Sequence, residues 1–424
     1  MFSKLVKSIS LPPLIRLFLF LVLSVAVLTV YFFNFENRIN FGPEQGLSLI
    51  TSADYIHKDF SLLGLENLQR VTSHGHVLYS GSLYNYSLVP FLVLFNYSPV
   101  ALTILSALSI IAGSVMTALV AKKVISNTAG MFTFIVSVFS AVYIWHATFI
   151  WILNYLPFIG AVSLLCFYYF KEQKNQSLQA LFLGILSGVG FNLQYMYVFT
   201  ALLVVLSILF LSKEKCKHTC VFITAFVIGN APMILFDIRN DWYHSRLLMQ
   251  YALDTLHNTG QSKIAYYHFL QFFPLLFIGV GILLERAYKK LPVLAVLLAG
   301  AYIWANMLTP LVNYNRPVGM SVTVAELDFA AQLIAAENPE QFNIASHLPF
   351  DSSRAYPLRY ILEYRYSTTP QGVEEYASSS VVYGLAKNDI SLLDAFPWEF
   401  SAHNPDKIEL IGKFADEYSL YKIE

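Results

Sequence analysis

Residues 178–211 form one uninterrupted apolar run, LQALFLGILSGVGFNLQYMYVFTALLVVLSILFL, without a single Asp, Glu, Lys or Arg. A helix needs about 20 apolar residues to cross the roughly 30 Å hydrocarbon core of a bilayer, and this run is nearly twice that long. Its midpoint carries Gly188, Gly190, Asn192 and Gln194, which are residue types that favour a tight turn. The segment therefore predicts two membrane-crossing helices, 178–193 and 195–211, joined by a hairpin.

The composition of the whole chain agrees with this interpretation. Hydrophobic residues make up 56% of the 424 residues and charged residues only 13%, which is about half the share usual in soluble domains. The mean hydropathy is +0.55. These values exclude a disordered chain, a nucleic-acid binder and a soluble enzyme, and they predict a polytopic α-helical protein surrounded by membrane lipids. The 27 cations balance 27 acids, so no overall field attracts a partner such as nucleic acid.

Seven further apolar runs bring the number of predicted spans to about nine. With the two above, they are 14–33, 98–121, 129–150, 155–170, 178–193, 195–211, 219–236, 266–284 and 291–310.

Cations cluster in alternate loops between these spans. They are Lys122 and Lys123; Lys171 and Lys174; Lys213, Lys215 and Lys217; and Arg286, Lys289 and Lys290. These loops fall on the same side as Lys4 and Lys7 of the N-terminus. Because cytoplasmic loops are enriched in Lys and Arg, we expect a cell-membrane protein with a cytoplasmic N-terminus and an external C-terminus.

Two segments are predicted to lie outside the bilayer. The first is the outer loop 34–97 of the transmembrane module 1–310. Its apolar stretch 83–95 is too short to span and predicts a helix at the membrane surface. The second is 311–424, which holds sixteen of the 27 acids and therefore predicts a small soluble α/β domain. Its expected helices are 323–337 and 353–364, and its expected strands are 342–346, 380–386, 407–413 and 418–423.

The sequence does not support a resident metal, and a divalent ion is kept only as an alternative. Cys216, His218 and Cys220 lie too close together for a closed zinc site and are interpreted as part of a loop. His57, His74 and His76 also lack a metal-binding spacing. No cofactor is expected to be required.

The outer loops combine acids and arginines in a way that suits sugar transfer from a lipid phosphate. The first outer loop is acidic, and the loop after the seventh span contains Asp237, Arg239, Asp241, His244 and Arg246. A carboxylate takes the proton of an acceptor hydroxyl, and a guanidinium binds the leaving phosphate. The alternatives are that the arginines sit at the membrane interface or pair with Asp237 and Asp241, and that Asn154 is only a turn residue.

Several motifs occur in the order found in one group of membrane enzymes. They are Phe41-Gly-Pro-Glu44-Gln45-Gly46; Tyr79-Ser-Gly81-Ser-Leu83-Tyr84-Asn-Tyr86; Trp151-Ile-Leu-Asn154-Tyr-Leu-Pro157; Gly188-Val-Gly-Phe-Asn-Leu-Gln194-Tyr195; Leu235-Phe-Asp237-Ile-Arg239-Asn-Asp241; and Leu358-Arg359-Tyr360-Ile-Leu362. The chain thereby resembles the membrane glycosyltransferases of the GT-C fold. These include the protein O-mannosyltransferases and the aminoarabinose transferases that modify lipid A. The resemblance is greatest to their shorter bacterial relatives.

The resemblance implies an inverting transferase that uses a polyprenyl-phosphate sugar donor and a lipid, glycan or protein acceptor on the outer face. Glu44 resembles the general base, and Arg239, helped by Arg246, would hold the donor phosphate. The sugar cavity would be lined by Tyr84, Asn154, Gln194, Tyr195, Asp237 and His244. The chain departs from the family pattern at Gln45, at Ser82 in place of Pro, and at Tyr195 in place of the His that relatives often have.

Two other functions stay open at this point. A lipid-glycan flippase would perform no chemistry, but transporters usually carry midplane polar groups and repeated halves, and neither is evident. A non-catalytic assembly subunit would bind a cell-wall partner through its tail, and the loss of Glu44 would then be harmless.

Overall fold

A computed structural model describes residues 13–257, 265–388, 398–401 and 407–424. The predicted spans contain the helices Pro13–Phe32, Pro99–Val124, Asn127–Val138, Ala141–His146, Leu156–Lys171, Gln176–Leu193, Val198–Leu211, Lys215–Gly229, Ala231–Arg239, Phe273–Lys290 and Pro292–Met307. Three of these helices are preceded by 3-10 segments, which are Ile152–Tyr155, Tyr195–Tyr197 and Tyr266–Phe272. The chain is an α-helical polytopic membrane protein with a small C-terminal sheet.

Within the described part of the chain, four helices are long and apolar enough to cross a membrane. They are Pro99–Val124, Ile152–Lys171, Gln176–Leu193 and Tyr266–Lys290, and the bent pair Lys215–Gly229 and Ala231–Arg239 makes five if it forms one span. Shorter apolar helices, including Asn127–Val138, Tyr195–Leu211 and Pro292–Met307, occupy other predicted spans.

The break in the opening apolar run falls slightly later than its glycines suggest. The first helix continues through Gly188 and Gly190 to Leu193, and the backbone becomes extended at Gln194. Gly188 instead packs against the neighbouring helix, because a Cβ atom there would lie 2.3 Å from the carbonyl of Phe226. The glycines therefore serve close helix packing, and the predicted pair of helices is confirmed with its turn at 194–197.

The predicted span 129–150 is not one continuous helix. The helix stops at Val138, and a second short helix begins at Ala141. The backbone groups freed by the break find partners on distant side chains: Tyr31 donates to the carbonyl of Val138 (3.0 Å), and the Ala141 amide donates to Asn306 (2.8 Å). Such compensation is what allows a helix to break inside a membrane protein.

The predicted span 219–236 is also interrupted. Helices Lys215–Gly229 and Ala231–Arg239 meet at an angle of 77°. Pro232 lies in the first turn of the second helix, where proline is tolerated. A straight helix could not continue through it, because its ring would clash with the preceding turn.

The first outer loop is folded. It contains the helix Pro43–His57, which we call the Glu44 helix, and a hairpin of strands β1 (Leu63–Val71) and β2 (Val77–Gly81). The helix Leu83–Leu94 follows and confirms the short helix predicted at 83–95; its place at the membrane surface stays a prediction. The helix Tyr243–Leu256 after the bent pair was not predicted.

The tail matches its predicted elements closely. It contains the helices Val324–Ala336, Tyr356–Arg365 (the tail helix) and Trp398–Ser401, and the strands β3 (Phe342–Ser346), β4 (Val381–Lys387), β5 (Ile408–Ala415) and β6 (Tyr418–Ile423). The sheet order is β3-β4-β6-β5, with β3 parallel to β4 and the other pairs antiparallel. The predicted capping box is present, since Thr323 and Glu326 cap the first helix reciprocally.

The tail helix lies directly on the Glu44 helix. Tyr364 donates a hydrogen bond to Asp54 (2.6 Å), and Lys58 bridges Asp54 (2.9 Å) and Glu363 (3.0 Å). Tyr360 donates to the carbonyl of Tyr97 (2.8 Å). The tail and the first outer loop therefore form one packed structure on the same face of the protein.

Candidate active site

Glu44 is placed by the first turn of its helix. The helix begins at Pro43, and the side chain of Gln45 folds back to accept a hydrogen bond from the Gly42 amide (3.1 Å). Gln45, a departure from the family pattern, thus caps the helix that carries Glu44. An acid in the first turn is also stabilised by the positive end of the helix dipole. Glu44 is half-buried there.

Glu44 opens onto a cavity of about 150 Å³. Four parts of the chain form its walls. They are Pro43, Glu44, Leu47 and Ser48 of the Glu44 helix; Leu65, Glu66, Asn67 and Ser80 of the hairpin; Tyr84; and Trp151 with Ile152. The structure therefore brings two of the predicted site residues, Glu44 and Tyr84, into one cavity.

The hairpin supplies cavity residues that the sequence analysis missed. Leu65, Glu66 and Asn67 of β1 and Ser80 of β2 all line the cavity. The available signal was the pair of short strand-like segments on either side of Ser73-His74-Gly75, since a glycine-containing turn between such segments favours a hairpin.

A second group of predicted residues meets at the Tyr79 carbonyl of strand β2. The hydroxyl of Tyr195 donates to the carbonyl of Tyr79 in β2. His244 Nε2 lies 3.2 Å from the same carbonyl and 3.0 Å from the Tyr195 hydroxyl. Burial lowers the pKa of His244, opposed by the Tyr79 carbonyl and by Asp237. A neutral imidazole carrying its proton on Nε2 fits these two oxygen neighbours.

Asp237 holds His244 in place. Its buried carboxylate accepts hydrogen bonds from the backbone amides of His244 (2.8 Å) and Ser245 (3.1 Å) and from the Ser245 hydroxyl. These bonds cap the start of the helix Tyr243–Leu256. The Asp237 carboxylate is thus occupied by the helix start and is not among the residues that line the Glu44 cavity.

Solved structures are similar to this chain over nearly its whole length. A crystal structure of ArnT from Cupriavidus metallidurans bound to undecaprenyl phosphate superimposes with a TM-score of 0.60 at 13% identity, covering 95% of this chain and 98% of that one. Its apo state gives a TM-score of 0.59 at 12% identity, covering 95% and 97%. The chain has the GT-C fold. No protein-family model matches the sequence, and no curated protein matches it either.

In this GT-C fold, Arg239 ends the second helix of the bent pair, and Arg246 lies in the helix Tyr243–Leu256 that follows. Both side chains are exposed. Neither makes an ion pair with a residue in the described ranges, so the pairing with Asp237 or Asp241 that the sequence left open is not seen there. The helices that carry them contact the hairpin, whose strands also line the Glu44 cavity.

The remaining two predicted residues lie inside the GT-C helix bundle. Asn154 is fully buried; its Oδ1 contacts His146 Nδ1 (2.9 Å), and its amide donates to the carbonyls of His146 and Phe149 (both 2.8 Å). Asn154 thereby fixes the conformation of the loop whose residues Trp151 and Ile152 line the cavity. Gln194 is buried at the junction between two helices. Neither residue lines the Glu44 cavity.

The described residues contain no group of three or more His, Cys, Asp or Glu side chains arranged to hold a metal ion. His218, between the two exposed cysteines, hydrogen-bonds Ser212 (2.6 Å) and Ser177 (3.1 Å). The metal independence of the protein remains a prediction.

Proposed function

We propose that the protein transfers a sugar from a polyprenyl-phosphate donor to an acceptor on the outer face of the membrane. One observation carries the proposal: in a GT-C fold, the acid predicted to be the base opens onto a cavity enclosed by the outer hairpin and Trp151. ArnT, which shares the fold, binds undecaprenyl phosphate, and this supports the donor class. The predicted glycosyltransferase function explains why the hairpin that lines the Glu44 cavity also contacts the helices that carry Arg239 and Arg246.

In the proposed reaction, Glu44 takes the proton of the acceptor hydroxyl. The acceptor oxygen attacks the anomeric carbon from the face opposite the phosphate, and the bond between that carbon and the phosphate oxygen breaks. The electron pair leaves with the lipid phosphate, and the anomeric configuration inverts. Glu44, held in a first helical turn and half-buried, is in a position where it need not reorganise to act as a base.

The leaving phosphate would be held by Arg239, with Arg246 helping. Exposed guanidinium groups next to the membrane suit this role because they stay charged and bind phosphate oxygens in a bidentate manner. Neither guanidinium pairs with a carboxylate in the described ranges, so their N–H groups are available to donate hydrogen bonds to the donor phosphate.

The test follows release of polyprenyl phosphate by purified protein in detergent. A panel of polyprenyl-phosphate sugars is supplied with membrane extract as the acceptor source. We expect Glu44→Gln to lower the rate of release by about 100-fold or more, because general-base catalysis contributes roughly 10²–10⁴. Asp59→Asn is the matched control, since Asp59 is an exposed acid of the same loop and its loss should leave the rate unchanged.

Each other result has a definite meaning. Equal release by wild type and Glu44→Gln keeps the transferase but removes Glu44 as its base. Donor binding without release from any donor contradicts the proposal and favours the flippase. Absence of both binding and release favours the assembly subunit.

A further inference from the structure

We infer that Glu66 binds the sugar of the donor and selects against acidic sugars. This inference rests on the proposed function, since it names a specificity-determining residue of the same cavity. Glu66 belongs to β1 of the hairpin and lines the cavity together with Glu44.

The backbone of β1 is irregular where it faces the cavity. Side chains of a regular strand alternate between its two faces, yet the consecutive residues Leu65, Glu66 and Asn67 all line this one cavity. The pairing register with β2 shifts between Leu63 and Glu66 and again between Asn67 and Val71. Bulges of this kind turn side chains toward a site and are frequent beside active sites. The local structure is therefore built to present Glu66 to the cavity.

The hairpin is anchored at both ends, so the position of Glu66 is defined. At its tip, the amide and hydroxyl of Ser73 bind the carboxylate of Asp254 (2.7 and 2.9 Å). At its base, the Tyr55 hydroxyl donates to the carbonyl of Leu63 (2.6 Å), and Ser82 donates to that of Leu62 (3.0 Å). A binding group on a segment held in this way loses little freedom when a ligand arrives.

The charge of the cavity points to the ligand. Its described lining contains two carboxylates, Glu44 and Glu66, and no Lys or Arg. Glu66 makes no hydrogen bond or ion pair with a side chain that the structure describes. An ionised carboxylate only accepts hydrogen bonds, so its natural ligands here are the hydroxyl groups of a sugar. A sugar that carries its own carboxylate would be repelled by both acids, and like-charge contact is an effective means of specificity.

The test measures donor binding, which does not require turnover. Binding of polyprenyl phosphate and of a neutral polyprenyl-phosphate hexose is compared for wild type, Glu66→Gln, Glu66→Asp and the control Asp59→Asn. We expect Glu66→Gln to weaken binding of the hexose donor by about tenfold or more, as for loss of a charged hydrogen bond, and to leave binding of the sugar-free lipid unchanged. Glu66→Asp should retain part of the sugar-dependent affinity, and melting temperatures establish that every variant is folded.

A second arm uses a donor with a uronic acid in place of the hexose. The affinity ratio of acidic to neutral donor should rise in Glu66→Gln and stay at its wild-type value in Asp59→Asn. Equal weakening of both lipids, or an unchanged ratio, would overturn the assignment of Glu66. Because binding is the readout, a protein that binds donors through Glu66 but releases no phosphate would refute the transferase while upholding this inference.

Discussion

His244 links three outer elements through a single buried ring. Asp237 fixes its backbone, while Nε2 faces the Tyr79 carbonyl and the Tyr195 hydroxyl. Burial holds the pKa of His244 below its ordinary value of 6.5, so the folded protein keeps the neutral ring at a pH where the unfolded chain binds a proton. Stability contributed by the neutral ring is present above pH 6.5 and declines as the pH falls below it.

We therefore predict that acidification from pH 7.5 to 5.5 destabilises the wild type more than His244→Gln, which cannot titrate. The melting temperature of the wild type should therefore fall further on acidification than that of His244→Gln. The control is His257→Gln, because His257 is exposed at the end of the same helix. Identical pH profiles for wild type and His244→Gln, measured in one detergent, would show that this ring does not contribute.

At the scale of elements, the contact between the Glu44 helix and the tail helix depends on Gly46. A Cβ atom at this position would lie 2.5 Å from the backbone nitrogen of Pro357 and 2.6 Å from the carbonyl carbon of Tyr356. Backbone atoms cannot rotate away, so Gly46→Ala must separate the two helices. We predict a loss of about 1–3 kcal/mol of stability, the usual effect of overpacking, together with slower donor turnover, because Glu44 lies two residues away.

The matched control is Gly279→Ala, where a Cβ atom meets nothing within 4 Å. Alanine is the better helix former, so this variant should be at least as stable as the wild type. Melting temperature and phosphate release are measured for both variants. Equal melting temperatures for Gly46→Ala and Gly279→Ala would mean that the tail helix can move away from the Glu44 helix without loss of stability.

The elements that the sequence predicted well are those whose signals are local. The capping box of Thr323 and Glu326 fixes the start of one tail helix, and the strand 418–423 was predicted with its observed bounds. The break after Val138 was not predictable, because its stabilising partners, Tyr31, Tyr302 and Asn306, come from other helices.

The residues of the candidate site also divide into those with local sequence signals and those that depend on tertiary structure. Glu44 and Tyr84 belong to local motifs that carry the family resemblance, which predicts both as site residues, and both line one cavity. Glu66 could not be predicted as a cavity residue from the sequence. The register shifts of β1, and not the sequence pattern of the strand, decide which face the Glu66 side chain takes. Asn154 and Asp237 are predicted to line the sugar cavity, but neither is among the residues that line the Glu44 cavity, and both hydrogen-bond mainly the backbone around them.

At the scale of the whole molecule, the helix Pro99–Val124 shows how far the tail lies from one of the cationic loops. Its 26 residues span about 39 Å at 1.5 Å per residue. Tyr97, just before its start, binds Tyr360 of the tail, whereas Lys122 and Lys123 lie in its last turn. Lysines also occupy the last turns of Leu156–Lys171 and Phe273–Lys290. The tail and Lys122–Lys123 are thus at opposite ends of a membrane-length helix.

This geometry predicts which side of the membrane each thiol reaches. Cys216 and Cys220 are exposed at the start of the helix Lys215–Gly229, next to the predicted cytoplasmic lysines. In intact cells they should not react with a membrane-impermeant maleimide, and they should react after permeabilisation. Ala377→Cys, made at an exposed tail position in a variant whose own cysteines are replaced by serine, should react in both conditions. Labelling of Cys216 or Cys220 in intact cells, or protection of the tail thiol there, would show that the predicted membrane orientation is the reverse of the true one. It would then place the Glu44 cavity on the cytoplasmic side, because the tail helix and the Glu44 helix are packed together.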